Sequence, residues 1–406
     1  MLVPLSYNLR SLFVRKSATL LTVLGVGAVV AIVSGTLALQ QGFHHMFTTG
    51  GRDDVAVFLR PGATNEGDSQ FSRDRGLKLI KSVPEIEIGP NGPLAGMEAY
   101  LALLLAPKRG GVTNVPLRGV QPVTFEIRAK EVRISEGRNF TPGHDELVVG
   151  ARLVDRIENC RIGDVLTLNK TPFKVVGILD HDGQFGGEIW GDLDRLLAAM
   201  GRYGPNRVIA QLKPGIELGS PDPAKALFSD EPVEPDEGTV AARLLKDTEV
   251  PAKVCTESQY LSSQTVMLSG MLVFIGGGLG FIMGLAAIFT AMNTMLASVA
   301  ARTREIGILL SIGYRPFPIF LSFLFEALVL GLIGGLVGCV LTLPFNGVSA
   351  GAMNFQTFTE MAFAFRVGPM VLLVAIGFSI ALGLIGGALP AWRAARLRPT
   401  AALRRE

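Results

Sequence analysis

Four stretches without a single Asp, Glu, Lys or Arg run through this sequence: Ala18 to Phe43, Ser258 to Ala301, Ala327 to Thr359 and Val367 to Trp392. Each exceeds the roughly 20 apolar residues that cross a bilayer. In a 406-residue chain that is 49% hydrophobic and 18% charged, such concentration of apolar residues is what singles out membrane helices. The first block follows Arg10, Arg15 and Lys16, as a secretory leader would, but its apolar core is longer than the roughly 7 to 15 residues of such a leader. Thr36-Leu37-Ala38 is a poor cleavage site, so an uncleaved first helix is expected.

Basic residues near membrane ends mark the cytoplasmic side. Arg10, Arg15 and Lys16 precede helix one, Arg302, Arg304 and Arg315 separate helices two and three, and Arg393, Arg396, Arg398, Arg404 and Arg405 follow helix four. The loop from Pro344 to Arg366 carries almost none. The expected class is therefore an integral membrane α-helical protein of the cell inner membrane. It has four transmembrane helices, both termini cytoplasmic, and a large mixed α/β extracytoplasmic domain inserted between helices 1 and 2. The expected order is a cytoplasmic segment at 1–17, a helix at 18–43, the outer domain at 44–264 and a second helix at 265–292 with an outward stalk. A cytoplasmic segment at 293–316, helices at 317–343 and 367–392 around a short outer loop at 344–366, and a tail at 393–406 complete it. The net charge of +3 is too small to argue for nucleic acid.

The outer segment alternates short apolar runs with Gly, Pro and Asp. Strands are expected at Val55–Leu59, Leu147–Val149, Val165–Leu168, Phe173–Leu179 and Val208–Leu212, and helices at Arg73–Ser82 and Asp192–Met200. Pro214 to Glu237 reads as a long loop or linker. Cys160 and Cys255 lie where an oxidising compartment would let them pair, or they remain buried thiols; Cys339 falls in an apolar block. The run from Glu257 to Ala301 is about twice as long as a bilayer requires, so part of helix two should protrude and tie the outer domain to the cytoplasmic end.

The segment from Asn293 to Gly313 contains Arg302-Thr303-Arg304-Glu305-Ile306-Gly307. It resembles the MacB/FtsX-like family of ABC transporter permeases, in which a charged stretch after the second helix docks on the ATPase and is followed by Gly. The resemblance marks Arg302, Arg304, Glu305, Ile306, Gly307 and Gly313 as ATPase-coupling residues, and 293–316 as the coupling segment. Independently, a short helix with Ile306, Leu309 and Leu310 on one side would fit a protein groove. The simpler reading is a cytoplasmic turn anchored by positive charge. Tyr7-Asn8-Leu9-Arg10 resembles the family's amphipathic amino-terminal helix, and Pro390-Ala391-Trp392-Arg393-Ala394-Ala395-Arg396 with Pro399 its closing segment. In the outer domain, Glu136-Gly137-Arg138-Asn139-Phe140, Glu146 to Gly150, Gly163-Asp164 and Val175 to Ile178 resemble the family's periplasmic domain. Ala63 to Gly111 and Pro214 to Lys253 match nothing specific.

Glu326, an intramembrane charge early in helix three, is a functional suspect or a carboxylate paired with an Arg near the interface. The helices otherwise lack the polar lining that a solute path needs. They carry small residues at four-residue spacing instead: Gly276, Gly280 and Gly284, Gly331 and Gly335, Gly383 and Gly387, as close helix packing requires. No phosphate-cradling Gly-x-x-x-x-Gly-Lys-Ser/Thr occurs, so no catalytic residue, cofactor or metal is assigned here, and ATP and Mg would be held by a partner ATPase. Gly347-Val348-Ser349-Ala350-Gly351 matches a hydrolase pattern but lies in a loop between membrane helices. Asp180-His181-Asp182-Gly183 is read as a turn rather than a metal site, and His44-His45 as an interfacial step.

The resemblance implies a permease subunit, dimeric with itself or a related permease, that couples a separate ATPase to movement of its periplasmic domain. Export or extrusion of a hydrophobic, peptide or lipid-like substrate follows, with a periplasmic adaptor in some members. The alternatives are a transmembrane regulator of a periplasmic cell-wall hydrolase, and a receptor independent of any ATPase.

Overall fold

The computed structural model describes residues 16–48, 51–221, 234–354 and 359–397. It divides into two units: a helical one (residues 1–42, 270–348 and 364–406) and an α/β one (residues 43–269 and 349–363). The motifs at Tyr7 to Arg10, Arg15, Arg398, Pro399, Arg404 and Arg405, and much of the Pro214 to Glu237 linker, lie outside the described residues.

Helix α1 (Lys16–Thr48) leads into strand β1 (Val55–Leu59) and helix α2 (Arg73–Ser82). There follow the short pair β2 (Ile88–Gly89) and β3 (Gly92–Pro93), then β4 (Ala95–Leu105), β5 (Thr113–Val120), α3 (Pro122–Ile127) and β6 (Arg133–Gly137). Next come β7 (Glu146–Gly150), α4 (Ala151–Val154), β8 (Val165–Leu168), β9 (Thr171–Asp180), β10 (Ile189–Asp192) and α5 (Leu193–Ala199). β11 (Arg207–Gln211), α6 (Val240–Leu245) and β12 (Lys253–Thr256) close the inserted region. Helix α7 (Glu257–Ala301) then runs unbroken for 45 residues. The chain ends with α8 (Thr303–Ser311), α9 (Pro316–Thr342), the hairpin β13 (Ser349–Asn354) and β14 (Thr359–Ala364), and α10 (Pro369–Ala395).

The α/β unit is built on one mixed sheet in the order β12-β1-β11-β4-β5-β10-β7-β9-β6, with β8 beside β9. β4 is its pivot, pairing Ala95–Glu98 with β11 and Ala99–Leu105 with β5. Its two halves enter separate cores, one with Phe58, Met97 and Val208, the other with Leu101, Leu117 and Phe173. The expected strands and helices sit within or against the observed elements, whereas β4, β5, β6, β10 and β12 of the same sheet were not anticipated. β4 reads Ala-Gly-Met-Glu-Ala-Tyr-Leu-Ala-Leu-Leu-Leu, rich in helix formers, and packing on both faces overrides that preference. The segment expected as a short outer loop, 344–366, holds two paired strands, β13 and β14, and its residues 349–363 belong to the α/β unit. Cys160 and Cys255 are unpaired: each is buried in its own part of the core, where desolvation pushes the thiol up to about 12.

Among the described residues, four helices are long and apolar enough to cross a membrane: α1, α7, α9 and α10. In the helical unit, the spaced glycines face neighbouring helices. A Cβ placed on Gly331 would lie 2.7 Å from the Ser379 carbonyl oxygen and 3.2 Å from the Cα of Gly383; one on Gly383 would lie 2.6 Å from the Ala327 oxygen. Gly335 meets Ser379, Gly387 meets Ala327, Gly276 and Gly280 meet Thr36 and Val33, and Gly284 meets Phe378 and Leu382. A second set, Gly27, Gly334, Gly338 and Gly386, was not singled out by spacing; Gly338 would bring a Cβ within 2.7 Å of the Gly27 oxygen. Hydroxyls join the same helices, Ser34 Oγ to Thr342 Oγ1 at 2.6 Å and Thr22 Oγ1 to Thr294 Oγ1 at 2.9 Å.

Where backbones already touch, a larger side chain forces them apart. Gly331→Val is expected to destabilise the unit by about 1–3 kcal/mol, read as a lower melting temperature of the full chain in detergent. Gly277→Val, whose Cβ meets nothing within 4 Å, should leave it unchanged.

Candidate coupling sites

Helix α8 is short, and its C-terminal end is closed by local chemistry. Gly313, at φ +101, ends it: the Tyr314 N–H reaches the Leu309 carbonyl at 3.1 Å and the Gly313 N–H the Leu310 carbonyl at 3.2 Å, the pattern of a Schellman cap. Ile306 and Gly307 are buried, Ile306 in a cluster with Val23, Met295, Phe323 and Ala394. The expected docking face is thereby corrected, because Ile306 and Leu310 pack inside this chain. The apolar residues that α8 and the start of α9 expose are Ile308, Ile312 and Phe317, with Arg304, Glu305 and Arg315 also exposed. Arg302 turns inward, its Nη1 donating to Glu326 Oε2 at 3.3 Å. Glu326 is buried and so has an Arg partner.

A second site lies in the α/β unit, at the root of α7. Sheet register places Arg207 opposite Glu98, Tyr100 opposite Arg118, and Arg118 opposite Trp190, so alternate residues of four adjacent strands share one face. On it the fully buried Arg118 reaches three carboxylates: Nε and Nη2 donate to Glu188 at 2.6 and 2.8 Å, Nη1 and Nη2 to Glu66 at 2.8 and 3.0 Å, and Nη1 also to Glu98 at 3.2 Å. Arg207 Nη2 donates to Glu98 Oε2 at 2.6 Å. Burial opposes ionisation of Glu98, but Arg207, Arg118 and Arg128 outweigh it and hold that carboxyl at about 2.

Three connections leave this cluster. Tyr260, in the first turns of α7, accepts the Glu66 N–H at 3.1 Å and stacks under Arg207. Arg128 Nη2 reaches Glu257, the first residue of α7, at 2.5 Å. Tyr100 lies under Arg118, and its hydroxyl and Thr359 Oγ1 of β14 are hydrogen-bonded at 2.8 Å. Beside Glu257, Arg52 pairs with Asp54 and Glu131 and donates to the Ile127 carbonyl, so the chain just after α1 meets the root of α7. Sequence reasoning passed over all of these residues. The available signal was single charges of opposite sign inside apolar runs, Glu98 in Gly-Met-Glu-Ala-Tyr and Arg118 in Pro-Leu-Arg-Gly-Val.

The remaining candidates are structural. His181 Nδ1 accepts the Gly183 N–H at 2.8 Å, completing a turn. Among the described residues no group of three His, Cys, Asp or Glu could hold a metal. Ser349 opens a strand after a turn at Gly347, not the strand-to-helix elbow a nucleophile needs.

A multi-pass membrane protein with an α/β unit inserted after its first helix is the class these features define. Residues 18–220 match the MacB-like periplasmic core domain and residues 261–399 the FtsX-like permease C-terminal region. The chain belongs to this family of ABC transporter permeases. It is 26% identical over 432 residues to the macrolide export ATP-binding/permease protein MacB of Bdellovibrio bacteriovorus, covering 100% of this chain and 62% of that protein. It is 27% identical over 436 residues to the uncharacterized ABC transporter permease YvrN of Bacillus subtilis, covering 100% of both. It is 27% identical over 411 residues to the pyoverdine export ATP-binding/permease protein PvdT of Pseudomonas fluorescens, covering 98% of this chain and 58% of that one. The periplasmic region of MacB from Actinobacillus actinomycetemcomitans aligns with 53% of this chain and 94% of its own at a TM-score of 0.36 and 11% identity.

Arg118→Met removes the cation shared by the buried Glu66, Glu98 and Glu188 and should destabilise the α/β unit by about 3–5 kcal/mol, read by amide exchange in the full chain. The depressed value of Glu98 gives a sign for pH. Its contribution is complete above the ordinary glutamate value of about 4.3 and is lost as the pH falls toward about 2.

Proposed function

We propose that this chain is the permease part of an export-type ABC system in which a partner ATPase, holding ATP and Mg, moves the α/β unit through α7. The supporting observation is that α7 is one continuous helix of 45 residues, about 65 Å at 1.5 Å per residue. Its first turns are bound into the buried ionic cluster, and its far end leads directly into α8. On this reading α8 lies on the cytoplasmic side and meets the ATPase through Ile308, Ile312 and Arg304. Both termini are cytoplasmic, and a second copy of the chain or a related permease completes the membrane part. The substrate class is hydrophobic, peptide-like or lipid-like, handled on the outer side rather than drawn through the uncharged helices.

The test is co-purification of the detergent-solubilised chain with its ATPase. Arg304→Ala combined with Ile312→Asp changes only exposed positions, so the melting temperature should hold while the ATPase is lost from the complex. An intact complex with undiminished ATP-dependent export would refute the assignment. Retained ATPase binding with no exported substrate, and capture of a cell-wall hydrolase by the α/β unit, would instead favour the regulatory alternative.

A further inference from the structure

β4 outruns its neighbour. Its pairing with β11 ends at Glu98, while its pairing with β5 continues to Leu105. The direction of its peptide groups follows from two bonds at the point where β11 peels away. The Glu98 carbonyl accepts the Asn206 N–H and the Tyr100 N–H donates to Asn206 Oδ1, both at 2.8 Å. Even-numbered residues of β4 therefore aim their N–H and C=O groups to the β11 side, and odd-numbered ones to β5. Beyond Tyr100 the peptide groups of Ala102 and Leu104 point out of that edge, and among the described residues no strand pairs with them.

Native sheets shield such edges with Lys, Pro, bulges or very short strands. Ala102-Leu103-Leu104-Leu105 has none of these, and the Leu104 side chain is 66% exposed. The edge forms one wall of a cleft of about 330 Å³, whose other walls include Gly67, Asp68, Gln70, Arg202 and Gly204. The two charges there are not equivalent. Asp68 is turned back onto Thr64 and Asn65, at 3.1 and 2.8 Å, whereas the exposed Arg202 side chain makes no hydrogen bond or ion pair among the described residues.

We propose that this cleft binds an extended acidic polypeptide, which adds to the sheet as a strand on β4 at Ala102 and Leu104 and sets a carboxylate against Arg202. Main-chain pairing fixes the direction of the guest and tolerates varied sequence, while Arg202 selects charge. The assignment is independent of how α7 and α8 couple to ATP.

The probes are octapeptides of alternating Thr and Val with a central Asp or a central Lys, and an Asp version N-methylated at alternate positions. Each is titrated against the full chain in lipid nanodiscs. The Asp peptide should bind about fivefold to tenfold more tightly than the Lys peptide, and the N-methylated one should lose binding. Arg202→Glu should reverse the charge preference. Ala102→Pro removes an outward N–H that takes no part in the β5 ladder, so it should weaken binding about tenfold at an unchanged melting temperature. Should that variant misfold, the N-methylated peptide and Arg202→Glu decide alone. Undiminished binding to folded Ala102→Pro, or equal binding of the N-methylated peptide, overturns the proposal. So does self-association of the chain through this edge in place of peptide binding, which would make the occupant a second copy.

Discussion

A guanidinium without water is tolerable only when carboxylates meet it in hydrogen-bond geometry, and the α/β unit depends on Arg118 meeting that condition. Every element around the cluster is placed by it. The β4–β5 register must set Tyr100 opposite Arg118, the β11 register must set Arg207 opposite Glu98, and the turn at Glu66 must fold back over the sheet. A slip of one residue in any of these strands would move a charge to the opposite, apolar face. The ionic cluster thus fixes register where the long apolar runs of β4 would leave it ambiguous.

The helical unit obeys a different rule. Lipid is as apolar as leucine, so burying apolar surface gives little drive to helix association, and close contact must supply it. Glycine is what permits that contact, on both sides of α9: Gly331 and Gly335 toward α10, Gly334 and Gly338 toward α1. The same adjacency explains why spacing found half of the set. A four-residue stripe identifies one face of a helix, but Gly334 and Gly335 belong to two faces that interleave in sequence.

The membrane helices were legible because their signal is local and repeated, a run of uncharged residues. The C-terminal end of α8 was legible for a similar reason, Gly313 and Pro316 being conformational signals that need no partner. What escaped was long-range. Whether Ile306 faces out or in depends on Val23 and Ala394, far away in the chain, and the sequence around Ile306 supports either orientation equally well. The ionic cluster draws Glu66, Glu98, Arg118, Glu188 and Arg207 from separate elements, and none carries a local motif. β4 was missed because alanine and leucine prefer helix until two layers of core claim them.

The transmission proposed for α7 would require stiffness at two places where the chemistry differs. At the root, apolar packing alone would let the helix slide, since such contacts carry no direction. Glu257 bonded to Arg128, and Tyr260 holding the Glu66 amide, resist rotation as well as withdrawal. Farther along, Gly276-Gly277-Gly278 is a run that would soften a helix in water, each glycine costing about 1 kcal/mol relative to alanine. In lipid the opposing penalty is larger, because a broken backbone hydrogen bond there costs several kcal/mol. The bilayer therefore keeps this run helical, and Gly276 within it, with Gly280 one turn further on, provides the close approach to Thr36 and Val33 of α1.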